Sequence, residues 1–203
     1  MPHPKAFLWP LLAAMVLGIT VAVLQRPSTP LVLRSGTALP QPRPMGEFEL
    51  VDQRGRALTR GNFEDQWSLL FAGFTNCPDV CPTTLATLAA LRSRLRERNA
   101  ELQVVFLSVD PERDTPAQLA QYVGHFDSGM IGATGSKEQI DRLCADLGLA
   151  YIRGPGAAGV YTVDHSAALV LIDPQARIAA YFQPPYDLDG LAADLTAFAS
   201  AGS

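Results

Sequence analysis

The chain has 203 residues, 16 Lys+Arg against 20 Asp+Glu, and a formal net charge of -4. With 48% hydrophobic and 18% charged residues it belongs to the globular class and not the disordered one, and its acidic balance lacks the basic face of a nucleic-acid binder. Three cysteines exclude a disulfide-dense scaffold and leave room for one pair and one spare.

Ala6–Leu24 carries no charge, and its 19 residues would span about 28 Å as a helix, close to the ~30 Å hydrocarbon core. The run is apolar all round, unlike a surface helix with one polar face. A cleavable signal peptide has a shorter apolar region that ends in a small-x-small site. Here the run continues through Val23 and Leu24 to Gln25 and Arg26. Residues 1–24 are therefore expected to be an uncleaved single-pass transmembrane helix. Lys5 and the amino terminus favour a cytoplasmic start, while Arg26 and Arg34 oppose it. The short head and large following part favour export, which puts that part in the periplasm, tethered to a bacterial inner membrane. Residues 25–46 hold Pro27, Pro30, Pro40, Pro42 and Pro44. That density reads as an extended, semi-rigid tether, and the globular domain is expected over residues 47–203.

Phe48–Val51 and Ala57–Thr59 flank a turn signal at Asp52–Gly55 and predict a short hairpin. Trp67–Phe74 is an apolar run of buried-strand length. Pro82–Arg98 sets Leu85, Leu88, Leu91 and Leu95 at helical spacing with arginines between them, an amphipathic helix. Leu102–Val109 reads as a second buried strand. Thr115-Pro116-Ala117-Gln118 is a capping box with Pro at the first helical position, opening a helix to about Phe126. Ser136-Lys137-Glu138-Gln139 is a second capping box, with a helix to Leu147. Ala167–Ile172 and Arg177–Phe182 flank Asp173-Pro174 as an antiparallel hairpin, and Leu188–Phe198 is a closing helix. Strand–helix–strand first and hairpin–helix last is the element order of an α/β thioredoxin-like fold, with residues 115–147 as a helical insert.

The chemistry concentrates at Cys77-Pro78-Asp79-Val80-Cys81-Pro82. Both cysteines lie in a loop between a buried strand and a helix. Pro78 keeps Cys77 out of helical geometry, and Pro82 suits the first helical position, which sets Cys81 near the cap. Unpaired N–H groups there stabilise an anion, so a thiolate is expected at Cys81. The pair could close a disulfide, exchange electrons, hold a soft metal, or be two inert thiols. Spacing narrows the choice. A thioredoxin-type redox motif has two residues between its cysteines, and here there are three. No Pro precedes His165 in Val163-Asp164-His165-Ser166, where oxidoreductases of this fold carry a cis-Pro facing the Cys pair. A peroxidase of this fold would have Thr or Ser three residues before its reactive Cys; Phe74 and Pro78 stand there. Two thiolates and an imidazole suit copper, since soft sulfur selects Cu(I) and imidazole suits either oxidation state.

The remaining candidates have plainer readings. His125 lies at a helix end, where a dipole contact explains it. His3 has no visible partner. Cys144 falls within a helix pattern and reads as buried and inert. Asp79 is equally an extra ligand or a solvated loop carboxylate. Asp110-Pro111-Glu112-Arg113-Asp114-Thr115 ends a strand at the same end of the sheet as the Cys loop and reads as a turn closed by an Arg–Asp pair.

Gly73-Phe74-Thr75 followed by Cys77–Pro82 resembles the signature of the Sco/SenC family of copper chaperones. So do Ser108–Pro116 and Tyr161–Ser166, and the resemblance runs in order from about Gly36 through Phe48–Gln53 and Ile131–Gly135 to the C-terminus. One departure is Ala176, where the family usually has Gly in the late hairpin turn. The resemblance implies copper ligands at Cys77, Cys81 and His165. It also implies a role in maturing the binuclear copper centre of cytochrome c oxidase subunit II, with a copper donor protein upstream. The chain would carry copper as a metallochaperone, or reduce the client's cysteines as a thiol–disulfide oxidoreductase. A redox or copper sensor would use the same residues.

Overall fold

The computed structural model describes residues 14–18, 32–155 and 161–201. The chain divides into two compact units, Met1–Leu31 and Val32–Ser203. In the first, residues 14–18 are helical; the rest of the expected anchor, and His3, lie outside the described residues. Among the described residues no helix is long and apolar enough to cross a membrane.

Among the described residues the second unit has ten strands. In chain order they are β1 (Gly36–Pro44), β2 (Glu49–Asp52), β3 (Ala57–Thr59), β4 (Ser68–Gly73), β5 (Gln103–Ser108), β6 (Ile131–Thr134), β7 (Tyr151–Pro155), β8 (Tyr161–His165), β9 (Leu169–Ile172) and β10 (Arg177–Phe182). Four α-helices and a 3-10 turn at Arg60–Phe63 accompany them among the described residues: α1 (Val80–Arg96), α2 (Pro116–Phe126), α3 (Lys137–Asp146) and α4 (Leu188–Ala201). Eight strands form one sheet in the order β1-β10-β9-β4-β5-β6-β2-β3, while β7 and β8 pair only with each other.

The centre of the sheet follows from sequence. Leu69, Leu70 and Phe71 of β4 and Val104, Val105 and Phe106 of β5 are at most 1% exposed, as strands covered on both faces must be. They run parallel, with Gly73 level with Ser108, so the loops that follow leave the sheet side by side. β9 runs antiparallel to β4, with Leu169 opposite Phe71, so the chain enters β9 at that same end. The Cys loop, the Asp110–Thr115 turn and the approach to β9 therefore share one sheet edge. Leu85, Leu88 and Leu91 of α1 are fully buried, and α1 packs against α2 and α4.

Several expectations change. Residues 36–44, expected within a tether, form β1, antiparallel to β10 at the sheet margin. An edge strand tolerates Pro because its outer N–H groups need no partner, and the register shifts between Ala38 and Arg43. The globular unit accordingly begins at Val32 rather than at residue 47. Helix α1 starts at Val80, with Asp79 at the N-cap position but without a side-chain capping bond, so Pro82 is third in the helix rather than first. Proline is tolerated there too, because the first turn's N–H groups have no helical acceptor. At α2 the Thr115 capping box forms in full. At α3 only half of it forms: Ser136 accepts from the Gln139 N–H, but the Gln139 side chain instead accepts from the Glu49 N–H at 3.0 Å.

Two turns share one design. Asp52, 3% exposed, accepts from the N–H groups of Arg54 and Arg56 and from Arg56 Nε. Asp173, also 3% exposed, accepts from the N–H groups of Gln175 and Arg177 and from Arg177 Nε. The left-handed residue is Gly55 in the first, at φ +74°, and Ala176 in the second, at φ +53°. The buried carboxylate offsets a left-handed alanine that costs roughly 1–2 kcal/mol.

Candidate metal centre

Cys77 and Cys81 occupy the β4–α1 junction. The Cys77 N–H donates to the Phe74 carbonyl at 3.2 Å, which turns the chain directly after the strand. The Asp114 carboxylate fixes the approach, accepting from the Thr75 N–H at 2.9 Å and the Thr75 hydroxyl at 2.6 Å. Ser108 Oγ donates to the same carboxylate at 2.6 Å. Cys81 is fully buried and Cys77 is 9% exposed. The Cys81 N–H, in the first turn of α1, donates to Cys77 Sγ at 3.4 Å. The two thiols are not bonded to each other.

His165 arrives from the other side, at the end of β8. Its Nδ1 lies 3.1 Å from the Ser166 carbonyl oxygen, which can only accept, so Nδ1 carries the proton. That leaves Nε2 with its lone pair, 3.3 Å from Cys81 Sγ, the second-partner arrangement that fixes the tautomer of ligating histidines. Phe71 and Phe74 stand edge-on to the imidazole, with ring centroids 5.8 and 6.0 Å away. The ligand atoms of Cys77, Cys81 and His165 all lie within 4.8 Å of one another. With metal–sulfur bonds of about 2.3 Å, two thiolates on one ion sit up to about 4.6 Å apart, so the cluster suits a single soft metal ion.

Residues 37–200 match the family model described as SCO1/SenC. The chain belongs to the SCO1/SenC family. A relative from Stutzerimonas stutzeri is 40% identical over 154 residues, covering 75% of this chain and 76% of that one. The SCO2 homolog of Bos taurus mitochondria is 41% identical over 143 residues, covering 68% of this chain and 53% of its own length. The chain thus spans about half the length of that mitochondrial relative. Among solved structures, Arabidopsis thaliana ScoI with copper bound aligns at a TM-score of 0.71 and 35% identity, over 74% of this chain and 94% of that one. The α/β thioredoxin-like architecture of SCO1/SenC proteins is therefore the fold here.

Electrostatics at this SCO1/SenC site differ from the expectation at one atom. Burial pushes the Cys81 thiol well up, and the neighbouring Cys77 adds to the rise. The helix N-terminus does not produce a free Cys81 thiolate, because the sulfur sits fully inside and the amide of that turn points at Cys77 instead. Metal capture must therefore displace the Cys81 proton. Burial also lowers the His165 pKa, against a smaller opposing effect of the Ser166 carbonyl. A neutral imidazole is the form that ligates metals.

The other candidates fall outside the cluster. Asp79 is exposed at the α1 N-cap, where its carboxylate lies 3.5 Å from the Thr83 hydroxyl. His125 is exposed in the last turn of α2 against the edge of Phe126. Cys144 is 3% exposed, and burial pushes its thiol up to about 12. The Asp110 turn is closed by the expected ion pair with Arg113. Two residues play parts that the sequence did not assign to them. A Cβ on Gly73 would lie 2.7 Å from both Cys81 Sγ and Phe106 Cε2, so only glycine lets Cys81 reach its position; its place directly before the motif was the available signal. The Tyr186 hydroxyl donates to the Ala167 carbonyl, two residues past His165, and nothing local in the sequence marks it.

Proposed function

We propose that this chain is a membrane-anchored copper metallochaperone that holds Cu(I), and also Cu(II), through Cys77, Cys81 and His165. The observation that carries the reading is the placement of His165 Nε2 3.3 Å from Cys81 Sγ, because thiol exchange needs no third ligand. The relative solved with copper bound supports the choice of metal. Copper would come from a donor protein and pass to the binuclear centre of cytochrome c oxidase subunit II. In transfer, the incoming ion displaces the thiol protons and binds the sulfurs and Nε2. A client's thiolates and imidazoles then replace these ligands one at a time.

The anchor reading places the domain in the periplasm, on a bacterial inner membrane. It is supported by the uncharged run Ala6–Leu24, in which Met15, Val16 and Leu17 expose 63%, 61% and 65% of their surface. Retention of full-length protein on carbonate-washed membranes is expected, and recovery of a soluble form starting near residue 25 overturns it.

One observation favours the oxidoreductase reading. Cys77, at the rim, faces an amide of the helix N-terminus while Cys81 lies beneath it, the arrangement of an attacking and a resolving thiol. The deciding experiment compares oxidase activity and copper affinity in strains carrying His165→Ala, Cys77→Ala or Cys81→Ala. Chaperone action predicts that all three fail. Normal oxidase with His165→Ala and none with either cysteine change leaves the reductase standing.

A further inference from the structure

The Asp110–Asp114 turn touches both halves of the cluster. Through Asp114 it holds Thr75 and so the start of the Cys loop. Through Asp110 and Arg113 it holds β8, the strand that ends in His165. The fully buried Asp110 carboxylate accepts from the Tyr161 hydroxyl at 2.7 Å and pairs with Arg113 Nε. Arg113 Nη1 donates to the Tyr161 carbonyl at 3.1 Å. The Arg113 guanidinium carbon lies 3.9 Å from the Tyr161 ring centre and 5.6 Å from that of Phe74, and Phe74 stands against the His165 ring. Among the described residues the β7–β8 hairpin has no ladder with the main sheet, so beyond its own ladder and the short link from Ser166 to β9, side-chain contacts set where His165 stands.

We propose that Tyr161 and Arg113 are positioning residues that clasp the His165 strand to the Cys loop, fixing the distance between imidazole and thiols. The clasp rests on the copper-site reading, and it divides the two oxidation states. Cu(I) keeps two thiolates without the histidine, whereas Cu(II) depends on nitrogen. Loosening the clasp therefore weakens Cu(II) more than Cu(I) and leaves the Cys77–Cys81 couple untouched. Outer contacts of this kind change metal affinity by roughly 10–100-fold when removed.

The test uses full-length reduced protein and Tyr161→Phe, which removes the hydroxyl and keeps the ring, with Arg113→Gln as a second variant should the first fail to fold. Competition titrations with Cu(II) and Cu(I), the Cu(II) electron paramagnetic resonance spectrum, amide exchange over residues 161–165 without metal, and the Cys77–Cys81 midpoint potential are the readouts. Tyr161→Phe is expected to weaken Cu(II) about tenfold, alter the spectrum and speed exchange in β8, with an unchanged potential. Tyr161→Phe added to His165→Ala should cost nothing further, since its effect runs through that ligand. Wild-type Cu(II) binding and spectrum in Tyr161→Phe and Arg113→Gln, with binding lost in His165→Ala, overturn the clasp and keep the copper site. Wild-type Cu(II) binding retained in His165→Ala itself overturns the underlying reading. Equal losses with and without His165 also overturn the clasp.

Discussion

Cys77 and Cys81 lie between β4, hydrogen-bonded to neighbours on both sides, and the first turn of the 17-residue helix α1. His165 ends a hairpin that pairs with no strand of that sheet. The thiols are thus placed by the main sheet's ladders and a close-packed glycine, Gly73, the imidazole by a two-stranded ladder and a short link to β9, tied to the Cys loop by a carboxylate, a tyrosine and a guanidinium. Ladders and core packing open only with much of the domain, while a hairpin held by a few side chains opens locally. On the proposed copper reading, such a division would give a fixed seat for Cu(I) and a more easily displaced third ligand, which suits a site that hands its metal on.

The largest expected effect breaks the fixed half. Cys77→Ala or Cys81→Ala should abolish Cu(I) capture in anaerobic titration, and oxidation of the pair to a disulfide should do the same, because a disulfide offers no thiolate. Equal Cu(I) uptake by reduced and oxidised protein would move the ligands elsewhere, with the buried Cys144 the first suspect.

Removing the movable half comes next. His165→Ala should cost roughly 100-fold in Cu(II) affinity and much less in Cu(I), for which two thiolates suffice. A Cu(I) loss as large as the Cu(II) loss would show that both halves are equally essential and remove the distinction.

Acidity sharpens the same contrast. Burial raises the Cys81 pKa, so the thiol is protonated across the neutral range and each copper bound there releases its proton. Apparent Cu(I) affinity should rise with pH by at least about tenfold per unit. The His165 pKa is lowered by burial, so the imidazole stays neutral through that range and adds nothing to the slope. A His165→Ala variant should therefore keep the pH slope of the wild type. A slope that flattens on removing His165 would transfer the displaced proton from sulfur to nitrogen.

The two halves also differed in legibility. The Cys loop announces itself, since an apolar strand, two prolines and a leucine-spaced helix surround the cysteines between Trp67 and Arg98. The hairpin that carries His165 does not. β7 reads Tyr-Ile-Arg-Gly-Pro and is mostly exposed, so it lacks the apolar alternation that marks a half-buried strand. His165 stood out only because its loop enters β9 beside the Cys loop. β6 was hidden by small residues; Gly132 lets Leu119 and Val123 of α2 approach within 3.0–3.2 Å of where its Cβ would be. β1 was hidden by prolines that only an edge strand accepts. What sequence could not supply was side-chain partnership across the fold, such as Tyr161 with Asp110 or Tyr186 with Ala167.

The smallest expected effect separates buried from exposed contacts within the hairpin. Arg153 pairs with Glu112 at 2.9 Å and with Asp110 at 3.5 Å, and its guanidinium carbon lies 4.3 Å from the Tyr161 ring centre, against 3.9 Å for Arg113. Its side chain, however, is 40% exposed against 19% for Arg113, and Glu112 is 65% exposed. Water and salt screen such pairs to about 0–1 kcal/mol. Its loss also leaves Asp110 satisfied by Arg113 and Tyr161, so no buried charge is stranded. Arg153→Ala should therefore shift unfolding by under about 1 kcal/mol and Cu(II) affinity by less than about threefold, well short of the roughly 10–100-fold typical of an outer contact that orients a ligand. Denaturant titration and Cu(II) competition on the same sample measure both. A loss in Arg153→Ala equal to that in Tyr161→Phe would mean that the exposed face of the hairpin, and not the buried Asp110 turn, holds His165 in place.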